Sequence, residues 1–178
     1  EKTPWRGIRE TFIYEFAGEF SAGKSMLAHQ LSVAALAQGF TTRVVYIDTQ
    51  GTFNDALVEA VAKRFGFDAD KALEAIVVYQ PANVVQLEQI VKFDPPRHIA
   101  EGYRLAVIDT ITALYRAEFV GRKMLTARQQ RIHYLVDWLR RHARTFGLMS
   151  VLTNQVMDVP GMSPEVRIEY RITETGLE

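Results

Sequence analysis

The chain has 178 residues, and its 21 Lys and Arg are balanced by 21 Asp and Glu, so the formal net charge is zero. Hydrophobic content of 48% and charged content of 24% are ordinary for a folded protein, speak against intrinsic disorder, and suit a single domain over residues 1–178. Cysteine is absent, which excludes disulfides, Cys-ligated zinc and thiol catalysis; no apolar run approaches the roughly 20 residues of a membrane span, so no membrane partner is expected.

Short β-rich runs alternate with longer helical ones. Thr11–Phe16 reads as a strand, and Ser25–Gln38 as a helix with Leu27, Leu31, Ala34 and Ala35 at helical spacing and Gly39 as its cap. Arg43–Asp48 is a strand. Asn54–Phe65 is a helix capped by Asn54 or Asp55. A short helix over Asp70–Ala75 leads into a strand at Ile76–Tyr79, and Asn83–Phe93 is the next helix. Asp94–Gly102 contains Pro95-Pro96 and is expected to be a loop. Arg104–Asp109 is a strand buried on both faces, Thr126–Phe146 the longest helix, Met149–Thr153 another strand, and Val166–Ile172 alternates like a final one. This order predicts an α/β protein with a mostly parallel sheet and helices on both faces. Such sheets bind ligands at the carboxyl ends of their strands.

One of those ends carries Gly18-Glu19-Phe20-Ser21-Ala22-Gly23-Lys24-Ser25, which matches G-x-x-x-x-G-K-[ST] between a predicted strand and a predicted helix. The glycines let successive N–H groups face phosphate oxygens, and the helix N-terminus adds a positive dipole end. Lys24 is expected to reach the β- and γ-phosphates of ATP and Ser25 to ligate Mg²⁺, with Met26 completing the nucleotide-binding run. The alternative is a Gly-containing turn with a surface lysine. Asp109, after four apolar residues, is the expected second Mg²⁺-side group, although an Asp at a strand end can also simply cap the next stretch of chain.

Together with Tyr46-Ile-Asp-Thr-Gln-Gly-Thr-Phe53, Val107-Ile-Asp-Thr-Ile-Thr-Ala-Leu-Tyr-Arg116, Gly121-Arg-Lys-Met-Leu-Thr-Ala-Arg-Gln-Gln130 and Thr153-Asn-Gln-Val156, the phosphate loop resembles the RecA/RadA recombinases in their archaeal and eukaryotic branch. These stretches follow the family's order and spacing from Gly7 to Val156, and the ending Tyr170–Gly176 is similar to the family's closing strand. The resemblance implies a RecA-like P-loop NTPase fold, ATP and Mg²⁺ as cofactors, single-stranded DNA as a partner, and self-association or pairing with a RadA-type recombinase. It also implies that Gln155 senses the γ-phosphate; the plain alternative is an amide that satisfies backbone groups at a strand end.

Three departures bear on function. The family's catalytic glutamate falls at Gln50. A carboxylate can take a proton from an attacking water, whereas an amide can only orient the water, so slow hydrolysis is expected unless Asp48 or Glu19 substitutes as base. Asn54-Asp55 stands in place of the family's Arg-Pro, which removes a contact to the nucleotide base. The chain is also short for the family. It begins at Glu1, not Met, so the true N-terminus is expected to lie further upstream; the family's small N-terminal helical domain and its Phe-containing polymerisation segment are not in it, and between Val156 and Pro164 there is too little chain for the second DNA-binding loop and the strands that normally follow. A missing segment that leaves distant parts joined is expected there, with real truncation as the alternative. These departures suggest an accessory or regulatory paralogue more than the main strand-exchange protein.

The zero net charge hides a gradient. Residues 1–115 carry a net −3, residues 116–144 a net +6, and residues 145–178 a net −3. Within the basic block, Arg122 and Lys123 follow Gly121 in a flexible tip, and Arg128 sits in the first turn of a helix, where the dipole disfavours a cation. An external phosphodiester would explain that placement. Arg116, Arg122, Lys123 and Arg128 are therefore the expected DNA contacts, and in the family this segment is the first DNA-binding loop. Arg140, Arg141 and Arg144 read as an ordinary solvated face. His29, His98, His133 and His142 show no metal spacing with carboxylates. The other function classes in play are a DNA-independent P-loop phosphotransferase, for which no acceptor site is apparent, and a non-hydrolysing ATP-bound scaffold. Arg exceeds Lys by 15 to 6, which with the absence of Cys is compatible with a thermophile, an archaeon for example.

Overall fold

The apolar runs become the strands of one sheet. In the computed structural model, which describes residues 11–156, 172–173 and 176–177, the strands are β1 (Ile13–Gly18), β2 (Arg43–Asp48), β3 (Ile76–Tyr79), β4 (Tyr103–Asp109) and β5 (Met149–Gln155). Between them run α1 (Lys24–Ala37), α2 (Asp55–Arg64), α3 (Ala69–Ala75), α4 (Val84–His98), α5 (Ala113–Glu118) and α6 (Leu125–Phe146). The sheet order is β1-β5-β4-β2-β3, and every pairing within it is parallel. The expected α/β architecture is therefore the observed one. A separate antiparallel pair, β6 (Ile172–Thr173) and β7 (Gly176–Leu177), lies near the end of the chain.

Period-two alternation divides the core between the two faces of the sheet. Val44, Tyr46, Leu105, Val107 and Val151 point toward α1, α2 and α3, where Ala28, Val33, Val58 and Ala62 meet them. Val45, Ile47, Ala106, Ile108 and Leu152 point the other way, toward Leu87 and Val91 of α4, Tyr115 of α5 and Leu135 and Leu139 of α6. Burial of side chains of this size contributes about 1.5–3 kcal/mol each. A sheet covered on both faces keeps little but its strand ends for chemistry. Parallel register brings those ends level: Gly18 pairs with Gln155, and Asp48 pairs with Asp109.

The helix ends follow local rules. Asn54 caps α2 by accepting the Leu57 N–H, and Asp68 caps α3 by accepting the N–H groups of Asp70 and Lys71. After α1 the chain turns at Gly39, whose φ of 70° is left-handed, and Phe40 N–H reaches back to the Ala35 carbonyl.

The expected loop over Asp94–Gly102 is corrected by the structure. α4 continues through Pro95 and Pro96 to His98, and a 3-10 turn over Ile99–Glu101 follows. A proline at position 95 has no N–H for the Val91 carbonyl, which ought to break the helix. Here Nε2 of His142, on the neighbouring α6, occupies that carbonyl at 2.9 Å. α5, and the 3-10 turn Arg122–Met124 that precedes α6, have no counterpart among the elements expected from sequence. Of the expected strand Val166–Ile172 only Ile172 is described, as the start of β6. The short stretch between Val156 and Pro164 lies outside the described residues beyond Val156.

Candidate nucleotide site and nucleic-acid interface

β1 ends at Gly18 and α1 begins at Lys24, so the whole Gly18–Ser25 loop is a strand-to-helix turn at the carboxyl edge of the sheet. Gly23 caps α1 with φ 82°, a left-handed conformation, and offers no side-chain oxygen to the first-turn amides. No acidic residue occupies that first turn. The amides and the dipole of a 14-residue helix are thus left for an external anion. Lys24 Nζ donates to the carbonyls of Gly18 (3.0 Å) and Glu19 (2.6 Å), bonds within its own loop that a phosphate oxygen could replace. Glu19, Phe20, Ser21, Ala22 and Met26 are exposed around it, and Ser25 is half-buried. A Cβ on Gly18 would meet the Ala22 Cβ at 3.4 Å, which shows how closely the loop curls.

Asp109 ends β4 and is 1% exposed. Its Oδ2 accepts the Tyr46 hydroxyl at 2.8 Å, and its Oδ1 accepts the Thr153 hydroxyl. Burial, then the charge of Asp109, pushes the Tyr46 hydroxyl far above its ordinary value, so Tyr46 remains a donor. The carboxylate is held in orientation by β2 and β5, and two accepted hydrogen bonds leave it further lone pairs with which it could serve Mg²⁺ or its water. Among the described residues no group of three His, Asp or Glu side chains could hold a metal alone. Mg²⁺ suits such a place because it is commonly bound by one or two protein oxygens together with substrate phosphates. The donor set therefore fits MgATP.

The turn after β2 carries Gln50, which is exposed. Asp48 organises it from beneath. Its Oδ1 accepts the Gln50 N–H (3.1 Å), and its Oδ2 accepts the Phe53 N–H (2.9 Å) and the Gln80 amide (3.2 Å). Burial alone would raise the Asp48 carboxyl, but hydrogen bonds from the backbone of Phe53, Thr52 and Gln50 and from Gln80 outweigh it and hold the group below its ordinary value. A carboxylate so committed is a poor base for a water above the phosphate loop. Thr49 ties the same turn to the end of β4: its N–H donates to the Asp109 carbonyl (2.9 Å), and its hydroxyl both donates to the Thr110 carbonyl and accepts the Thr110 N–H. The Asp109–Thr110 peptide is cis.

Gln155 is half-buried at the last position of β5, which runs two residues beyond the expected end at Thr153. The next residue, Val156, donates its N–H to the Gly18 carbonyl at 3.0 Å, so β5 abuts the phosphate loop. The Gln155 carbonyl accepts Nη2 of Arg116 at 2.5 Å. Arg116 is thereby turned inward on α5, and burial, followed by the nearby charge of Arg128, lowers its guanidinium from its ordinary value. One link away, Thr112 donates to Asn154 Oδ1 (2.9 Å), and the Asn154 amide donates to Glu15 (2.8 Å) on β1. Sequence reasoning named Gly18, Gln155 and Arg116 separately, but neither the contacts that join them nor the neighbouring Thr112–Asn154–Glu15 link.

Arg122 and Lys123 are exposed on the 3-10 turn after Gly121, and Arg128 is half-buried in the first turn of α6. α6 has no side-chain cap and no acidic residue in its first turn. Among the described residues, none of Arg116, Arg122, Lys123 and Arg128 forms an ion pair with a carboxylate, whereas Arg131 is paired with Glu88 (2.8 Å) and Arg141 with Asp137 (2.7 Å). Exposed Val120, Met124 and Leu125 flank the cationic tip. Arg122, Lys123 and Arg128, without carboxylate partners among the described residues and interleaved with apolar side chains, form a surface suited to a polyanion with stacked bases, with Arg116 turned inward beside them.

A five-stranded parallel sheet with helices on both faces, a phosphate loop after its first strand and an aspartate closing a central strand define a RecA-like α/β protein. Residues 3–171 match the family model described as Rad51. The chain therefore belongs to the Rad51 family of RecA/RadA-type recombinases. It is 38% identical over 162 residues, 88% of this chain and 50% of the relative, to "Meiotic recombination protein DLH1" of Candida albicans. It is 35% identical over 159 residues, 87% of this chain and 46% of the relative, to "Meiotic recombination protein DMC1 homolog A" of Oryza sativa subsp. japonica. The chain thus spans about half the length of the curated relatives it matches, and both named relatives are eukaryotic. Among the described residues no helix is long and apolar enough to cross a membrane.

Proposed function

We propose that this chain binds ATP with Mg²⁺ and single-stranded DNA and acts in homologous recombination and DNA repair as an accessory or regulatory relative of the main recombinase, with slow ATP hydrolysis. The observation that carries this reading is the run of contacts from Lys24 and Gly18 through Val156 and Gln155 to Arg116, which links the Gly18–Ser25 loop to cations that have no carboxylate partners among the described residues. Lys24, Ser25 and the amides of the loop would hold the phosphates, and Ser25 and Asp109 would serve the Mg²⁺ side. Bound MgATP supplies a reactive phosphoanhydride and a metal that offsets its charge. Gln50 would orient water without taking its proton. Gln155 and Arg116 would carry the state of the nucleotide to Arg122, Lys123 and Arg128. Self-association or pairing with a recombinase subunit follows from the family.

Gln50 also favours a second reading, a scaffold that holds ATP without turning it over. ATP hydrolysis measured with and without single-stranded DNA decides between them: slow, DNA-stimulated turnover supports the first reading, and binding without turnover supports the second. Turnover indifferent to DNA would argue for a DNA-independent phosphotransferase instead.

A further inference from the structure

One buried imidazole touches three walls of the candidate nucleotide site. His29 is 1% exposed and lies one helical turn beyond Ser25 on α1. Its Nε2 is 3.2 Å from the Asn54 backbone N–H, which can only donate, so Nε2 is the unprotonated nitrogen. The proton therefore sits on Nδ1, which donates to the Ser25 carbonyl at 2.7 Å. The Tyr46 oxygen lies 3.3 Å from the same Nδ1, and its own hydrogen goes to Asp109. The ring also stacks on Phe53, with centroids 4.9 Å apart and planes at 28°, and Tyr46 closes the triangle edge-on to Phe53 at 4.9 Å.

The turn that carries Gln50 is thus held at three points, the first being Thr49, whose bonds to Asp109 and Thr110 tie its near end to β4. Asp48 fixes its amides at Gln50 and Phe53, and His29 fixes its far end at Asn54. We propose that His29 is a positioning residue: its Nε2 anchors the Thr49–Asn54 turn to the start of α1, and so sets where Gln50 stands relative to Ser25 and Asp109. This inference rests on the ATP-binding reading above for its consequence in turnover, but not for the anchoring itself. His29 touches no substrate; it acts through Asn54 and Phe53.

Two substitutions separate anchoring from packing. The amide of glutamine reaches the place of Nε2 and can accept the Asn54 N–H. The amide of asparagine reaches only the place of Nδ1 and keeps the bond to Ser25. Amide hydrogen exchange is measured on nucleotide-free protein, with β4 as the reference for global opening. His29→Asn is expected to speed exchange at residues 50–54 by about tenfold relative to β4, and His29→Gln by less than about threefold. In ATP turnover, His29→Asn should lower kcat by about tenfold with KM little changed, and His29→Gln should restore most of it. Equal acceleration in both variants, acceleration that tracks β4, or no acceleration in His29→Asn would each overturn the proposal. If His29→Asn does not fold, His29→Gln decides alone: protection kept within about threefold supports anchoring, and a loss beyond about tenfold refutes it. Failure of the wild-type chain to bind MgATP would remove the ATP-binding reading and leave the exchange comparison intact.

Discussion

His142 on α6 donates from Nε2 to the Val91 carbonyl on α4 at 2.9 Å, and that carbonyl lacks a helical partner because residue 95 is proline. The histidine thus stands in for the missing N–H and lets α4 run on through two prolines. Burial lowers the His142 imidazole from its ordinary value of 6.5, despite the opposing hydrogen bonds to the Val91 and Lys92 carbonyls. An unfolded chain would take up the proton first. The contribution of His142 to stability is therefore complete above the ordinary histidine value and is lost as pH falls from there through the folded one. His142→Leu should destabilise the fold by about 1–3 kcal/mol by stranding a buried carbonyl. His142→Gln can still donate, should lose less, and should flatten the slope of stability against pH below 6.5 relative to wild type. Urea melts across that pH range check both; identical slopes in wild type and His142→Gln would count against this role.

Gln50→Glu puts a carboxylate at the position where the family resemblance implies the catalytic glutamate. General-base assistance contributes about 10²–10⁴ to such reactions. The ATPase rate should therefore rise by at least about tenfold, with nucleotide affinity little changed, because Gln50 is exposed and its backbone is held by Asp48 whichever side chain it carries. A steady-state phosphate-release assay reads this directly, and an unchanged rate would sink the assignment of Gln50 to the water.

Arg122 and Arg128 have no carboxylate partners among the described residues, whereas Arg141 is paired with Asp137. The double substitution Arg122→Ala with Arg128→Ala should weaken single-stranded DNA binding and flatten the plot of log affinity against log salt by about 1.4, or about 0.7 for each phosphate left unneutralised. Arg141→Ala should leave both quantities unchanged. Fluorescence anisotropy on an oligonucleotide at several salt concentrations measures the slopes.

Among the described residues Lys24 bonds only to carbonyls of its own loop, those of Gly18 and Glu19. Lys24→Met should therefore leave the melting temperature close to wild type while weakening MgATP binding about 10- to 100-fold, the value of a hydrogen bond to a charged group. Titration with a fluorescent ATP analogue gives the affinity; undiminished binding would show that the loop is an ordinary turn.

The residue pattern alone determined the α/β class, the order of the long elements, the strand-to-helix position of Gly18–Ser25, the strand-end position of Asp109 and the basic block, because each rests on local spacing along a strand or helix. Tertiary structure decided what distant residues do for one another. Pro95-Pro96 signals a loop to any local rule, and it is a histidine on another helix, 51 positions after the Val91 carbonyl it contacts, that reverses it. The basic block likewise made Arg116 look like its neighbours, until the fold brought α5 beside the end of β5 and placed the Gln155 carbonyl within its reach. His29 showed no metal spacing, and its one local clue, four positions after Ser25 on an inward helix face, carried no meaning until the Thr49–Asn54 turn folded over it. Hydrogen-bond partners across a sheet depend on three-dimensional register, which pairs groups that sequence separation keeps apart.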